Sequence, residues 1–279
     1  GNSETGRSIA VRAASRMIPC SLELGGKNPM ILLQGASLER AAQGLISGAF
    51  ANAGQTCVAI ERVYAQESVF EEFAGIVARK AAELRVGWSN SWDMEMGSLI
   101  SAAHAAKVFG HIEDAISQGA RVRSGGKVRE DLGPCFIEPT VLTDVRPSSR
   151  VFADETFGPV VSLYPVKDAE EAIARSNESR YGLNASVWAG SPRIAEEVAA
   201  GLEVGTVAIN ASLMIYNAFD LPMGGRKQSG LGRRHGEAGL LRFVEPLSIA
   251  QGPEFAGGYD AILKYVDRKS RADLLTRVL

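Results

Sequence analysis

An alternation of strand-length and helix-length segments narrows the fold most. Short apolar runs, VAIERVYAQ (58–66), PVVSLYPV (159–166), NASVWAG (184–190) and GTVAIN (205–210), are separated by segments of helical periodicity. Ahead of the first run, Ala42, Leu45, Ile46, Ala49, Phe50 and Ala53 share one face of a helix over 38–53, with Ser37 as its N-cap. After it, Phe70, Phe73, Ile76, Val77, Ala81 and Leu84 mark a second amphipathic helix that Gly87 stops. A helix is expected over 100–118, before the glycine turn at 125–127, and EEAIARSN is helical. Ser191 and Pro192 supply an N-cap and an N1 proline for a helix ending near Gly201. Near-continuous apolar strands are buried on both faces, so the expected class is α/β, with βαβ units forming a parallel sheet between helical layers. The last stretch, YDAILKYVDRKSRADLL, reads as a solvated terminal helix.

Composition closes off several function classes. Thirty basic against 32 acidic residues leave a net charge of −2, without the positive field that nucleic-acid affinity requires. No apolar run approaches the roughly 18 residues of a membrane span, and GNSETGRS has no signal-peptide core. Cys20, Cys57 and Cys135 form an odd set without framework spacing, as expected of reduced thiols in a cytoplasm. His104 and His111 stand seven apart on one helix, too far for a ligand pair, and no metal site is expected.

Two side chains stand out as candidate chemistry. Cys57 follows a predicted helix end in FANAGQTC, a turn that offers backbone N–H groups and little apolar packing. A free cysteine is most often a small buried hydrophobe, but those N–H groups can also stabilise a thiolate and an oxyanion. No histidine lies near it in sequence. Glu23 interrupts the apolar segment SLELGGKNPMILL. It is either half-exposed on an edge or held in a cleft as a base of raised pKa.

Other motifs are more equivocal. Glu155, in DETFGPVV, lies in a loop entering a strand, whereas α/β sheets place ligands at the carboxyl ends. PMGGRKQSGLGRRHG (222–236) matches no phosphate-loop pattern and is expected to form turns with close backbone approach. Gly1–Gly6 ahead of the helical RSIAVRAASR is an anion-binding candidate, because a helix N-terminus begins there.

Taken in order, ELGGKNP (23–29), FANAGQTC (50–57), ETFGPVV (155–161) and PMGGRKQSGLGR (222–233) resemble the aldehyde dehydrogenase superfamily, from Gly1 to about Ala250. The resemblance implies a parallel-sheet catalytic domain with a remnant of a Rossmann-like cofactor domain. Its implied organisation is the end of the cofactor domain at 1–25, a catalytic domain at 26–226, a return with an oligomerisation strand at 227–251, and a tail helix at 252–279. It implies Cys57 as the nucleophile that attacks an aldehyde and Glu23 as the base that activates the deacylating water. NAD or NADP would be the cofactor, with Glu155 and Phe157 holding the nicotinamide ribose and ring and the backbone of Leu24 and Gly25 against the ring. Gly1, Asn2 and Gly6 belong to a turn near the cofactor, where Asn2 replaces the usual serine. A homodimer or homotetramer is implied, paired through FVEPLSIA.

Details such as CVAIERVYA and SGLGRRHGEAGLLRF look similar to bacterial succinate-semialdehyde dehydrogenases, with Ser212 a candidate for the substrate carboxylate. The chain resembles only the second part of family members. It lacks the first-half Asn that donates to the oxyanion, a contact worth about 2.7–4 kcal/mol, and the Lys that grips the cofactor ribose. The chain alone is therefore expected to oxidise aldehydes slowly or not at all. A cofactor-free thiol esterase and a non-catalytic fragment are the alternatives.

Overall fold

The computed structural model describes residues 1–251 of the chain. Seven strands form the main sheet: β1 (Asn28–Leu32), β2 (Ile60–Gln66), β3 (Arg121–Ser124), β4 (Thr140–Thr143), β5 (Val160–Val166), β6 (Asn184–Trp188) and β7 (Thr206–Ile209). Their order is β3-β4-β5-β2-β1-β6-β7, and every neighbouring pair is parallel except β3–β4. The class is α/β, as the alternation predicts. All five residues of β1 and the first six of β2 are buried, so the central strands are covered on both faces.

The helices are α1 (Ser3–Ala14), α2 (Leu38–Phe50), α3 (Glu67–Glu83), α4 (Ala102–Ser117), α5 (Arg150–Ala153), α6 (Ala169–Asn177), α7 (Pro192–Ala200) and α8 (Gly236–Leu241). The faces expected of α2 and α3 are those buried, including Leu45, Phe50, Phe73 and Val77. Helix α2 stops three residues early because Asn52 and Ala53 both take the left-handed conformation at φ 53°, although Ala53 stays buried. Apolar runs do not reveal β3 and β4. Both are four residues long, and β3, RVRS, is an exposed edge strand. Aspartate 168 caps α6 through a hydrogen bond from the Glu171 N–H, whereas Ser191 makes no such bond at α7.

The glycine-rich segment 222–236 does what its composition implies. Leu22–Glu23 pairs antiparallel with Gly230–Leu231, and Tyr181–Gly182 with Arg226–Lys227. Gly230, at φ +137°, passes so close that a Cβ would stand 2.0 Å from Leu22 O.

Residues 1–243 form one compact unit, in which 1–25 are not set apart from the rest, and Val244 begins a second. Val244–Gln251 take no helix or strand, so FVEPLSIA forms no strand within the single chain. The expected tail helix at 252–279 lies outside the described residues. Among the described residues no helix is long and apolar enough to cross a membrane.

Candidate active site

Three loops that enter adjacent central strands meet at one edge of the sheet. Residues 23–27 lead into β1, 54–59 into β2 and 154–159 into β5. The site therefore lies at the amino ends of the strands. That is why a rule favouring carboxyl ends gave Glu155 little weight.

Asn28, buried at the start of β1, ties the loops together. Its Nδ2 donates to Cys57 O at 2.9 Å and to Ala59 O at 2.8 Å, while its Oδ1 accepts from the Asn184 N–H at 3.0 Å. Gly54 adopts φ +71°, and a Cβ there would lie 2.2 Å from Gly158 O, so only glycine fits the turn that presents Cys57.

The loops enclose a cleft of about 630 Å³. Cys57 Sγ lies 3.9 Å from the Tyr216 hydroxyl, within the looser reach of a sulfur hydrogen bond. Burial pushes the thiol up from its ordinary value, against the hydrogen bond from Tyr216 and the positive charge of Arg234. Tyr216 is itself pushed up to about 12, chiefly by burial and then by Cys57. Glu23 is mostly buried, and neither carboxylate oxygen has a hydrogen-bond partner. Burial raises its pKa, opposed by Arg234, Arg233, Arg242 and His235. This matches the cleft alternative left open by the sequence: a carboxylate of raised pKa without a hydrogen-bond partner, in the same cleft as Cys57.

The other wall is the loop 155–157. Glu155 Oε1 accepts from the Gly26 N–H at 2.9 Å, and its Oε2 would lie 2.1 Å from a Cβ on Gly25. Burial pushes Glu155 up to about 7. Phe157 sits at φ 54°, held from both sides: its carbonyl accepts from His104 Nε2 at 2.8 Å, and its N–H donates to Glu61 Oε1 at 3.0 Å. Glu61 also accepts from the Thr156 N–H and pairs with Lys27. Lys27 is 1% and Glu61 3% exposed, so the pair fastens the 155–157 loop to the 23–27 loop from beneath. Burial lowers the Lys27 pKa, and Glu61 opposes that.

Gly1, Asn2, Glu23, Leu24, Gly25, Cys57, Glu155 and Phe157, named from the sequence, all line this cleft. Asn2 spends its side-chain oxygen as the N-cap of α1, accepting from the Thr5 N–H at 2.8 Å. Gly6 is not in the cleft; it packs under the Leu24 side chain and lines a neighbouring pocket. Ser212 is not there either. It is buried against α2, with Oγ 3.0 Å from where a Gly44 Cβ would stand. Sequence reasoning missed Tyr216, Arg234, His104, Lys107, Lys27 and Glu61. Lys27 stands just before β1 and Glu61 just inside β2, and no local sequence signal marks any of the six. Among the described residues no group of three or more His, Cys, Asp or Glu side chains is clustered to hold a metal ion.

The aldehyde dehydrogenase family matches the chain over residues 1–249. Over 256 residues the chain is 46% identical to a Mycobacterium tuberculosis protein named as a candidate succinate-semialdehyde dehydrogenase (NADP(+)) 2, covering 91% of this chain and 49% of that one. It is 43% identical over 248 residues to 4,4'-diapolycopene aldehyde oxidase of a Methylomonas species, covering 89% and 46%. Among solved structures, the NAD+ complex of an aldehyde dehydrogenase from Bacillus cereus gives a TM-score of 0.84 at 37% identity, covering 88% of this chain and 49% of that one. The chain spans about half the length of the curated relatives it matches.

Proposed function

The chain belongs to the aldehyde dehydrogenase family, and from that premise we propose that it carries the catalytic residues for oxidising a small aldehyde to its carboxylic acid with NAD+ or NADP+. The observation that carries the reading is convergence: Cys57, Glu23, Glu155 and Phe157 come from three separate loops and line one cleft.

The residues present fit the nicotinamide end of the cofactor. Gly25 lets the Glu155 carboxylate lie against the backbone, where a Cβ would stand 2.1 Å from Oε2, and that carboxylate is an acceptor for sugar hydroxyls. Leu24 and Phe157 offer apolar surfaces for a flat ring. When bound, the cofactor supplies the hydride acceptor. Cys57 must lose its proton and add to the aldehyde carbon; Tyr216 and the Arg234 charge favour the thiolate, against burial. The Cys57 N–H donates to no carbonyl among the described residues and is free for the developing oxyanion. Oxidation leaves the acyl group on Sγ as a thioester. Glu23 then takes a proton from the water that attacks it, and no imidazole is required. The names of the mycobacterial relatives support a semialdehyde as substrate. The thioester half of this cycle needs no cofactor, which supports ester hydrolysis as a second activity of the same pair.

The Glu155 environment supplies the test. With its pKa raised from about 4.5 to about 7, the folded chain keeps this proton where the unfolded chain has lost it. Ionisation therefore costs stability as pH rises through that window, and hydrogen bonds from ribose hydroxyls offset the cost. NAD+ and NADP+ titrations of the chain should show affinity rising as pH increases through about 7. In Glu155→Gln the affinity should be lower and the pH dependence flat. A wild-type affinity indifferent to pH across this window contradicts the placement.

A further inference from the structure

We propose that Arg234 is the specificity-determining residue of the cleft, an anchor that takes the carboxylate of an aldehyde acid while its aldehyde end reaches Cys57. The proposal rests on the aldehyde-oxidising reading of the site and names the substrate class within it.

Geometry makes the assignment. The Arg234 backbone is clamped by a two-way bridge to Met223, N–H to O at 2.5 and 2.6 Å. The next residue, His235, is forced to φ 63°, a conformation that non-glycine residues adopt at a cost. This turn delivers the guanidinium to the wall shared by Glu23, Cys57 and Tyr216. Arg234 Nε stands 3.8 Å from Glu23 Oε1, an ion-pair distance beyond hydrogen bonding, and it is buried without a partner. Among the described residues no hydrogen bond engages the Arg234 side chain, which is 40% exposed. Its neighbours differ. Arg233 donates to Gly225 O and Gly232 O, and Arg242 to Ser21 Oγ.

A planar fork of donors held at the edge of a reaction cleft matches a carboxylate, which it can bind through two parallel hydrogen bonds. Lys107 also lines the cleft, but its charge acts on Glu155, whereas the Arg234 charge acts on Cys57, Glu23 and Tyr216. The anchor thus sits on the nucleophile side and Lys107 on the opposite, loop 155–157, side. A carboxylate on Arg234 also shares that cation with Glu23, which stands 3.8 Å from Arg234 Nε.

Isothermal titration of the 279-residue chain with succinate, and with butyramide as an uncharged analogue, tests the assignment. Succinate should bind the wild type and lose at least ten-fold in affinity in Arg234→Gln. Arg234→Lys, which keeps the charge but not the fork, should fall between them, and butyramide should not distinguish the three. Equal succinate affinity in wild type and Arg234→Gln overturns the proposal. So does an absence of succinate binding at millimolar concentration, or a loss found in Lys107→Gln instead. Failure here with an acyl adduct still forming on Cys57 removes the anchor and leaves the aldehyde reading intact.

Discussion

Serine in place of Cys57 is expected to cut hydrolysis of 4-nitrophenyl acetate by the chain by on the order of 10³-fold or more. The reason lies in what surrounds the sulfur. A serine hydroxyl needs a base at hydrogen-bond distance to attack a carbonyl, and among the described residues the side chain within hydrogen-bond reach of Sγ is Tyr216, its hydroxyl at 3.9 Å. Tyr216, pushed up to about 12, keeps its own proton at neutral pH and cannot take another. Glu23 shares the cleft but makes no hydrogen bond to position 57. A thiol can ionise without a fixed base, helped by Arg234; a serine hydroxyl in the same place cannot. The measurement is steady-state release of nitrophenolate by the two variants under one set of conditions. Residual activity within ten-fold of wild type would place the nucleophile elsewhere.

Replacing Glu61 by glutamine should destabilise the fold by about 3–5 kcal/mol, the usual result of removing one partner from a buried ion pair. Lys27 is 1% exposed and has this carboxylate as its salt-bridge partner, so its ammonium would stay buried without a counter-charge. The same carboxylate accepts the Thr156 and Phe157 N–H groups, which a neutral amide oxygen accepts less strongly. Urea unfolding reports the loss directly. The double variant Lys27→Met, Glu61→Gln should recover part of it, because no unpaired charge remains. It should not restore the 155–157 loop, so cofactor affinity should stay low in both. Equal stability of the single and double variants would show that the ion pair is not what the loop rests on.

The sheet and its covering helices were legible because they depend on periodicity, which each segment carries alone. Phe50, Phe73 and Val77 fall where their spacing places them. What was lost lay in short or polar elements. RVRS has no apolar run because it is an exposed edge, and α2 ends early for a left-handed turn at Asn52 and Ala53 that composition does not announce.

The site divides in the same way. Cys57 and Glu23 were visible as residues out of keeping with their segments. Tyr216 and Arg234 were not, since they reach the cleft from 159 and 211 residues away in sequence, from Cys57 and Glu23 respectively, and nothing local marks them. Lys27 and Glu61 look like ordinary strand-entry charges until their burial is known. Ser212 lies away from the cleft lining because a polar residue in a largely apolar loop can pack against a helix, and Gly44 gives it room to do so.

In the proposed cycle Cys57 forms the acyl intermediate and Glu23 clears it. Intact-mass and peptide-mass spectrometry of acid-quenched reactions with 4-nitrophenyl acetate tests both halves at once. In Glu23→Gln an acetyl adduct should accumulate to near one per chain on the peptide bearing Cys57 and decay slowly, while wild type shows little adduct at steady state. Equal adduct levels in the two proteins, or an adduct on any other residue, would contradict it.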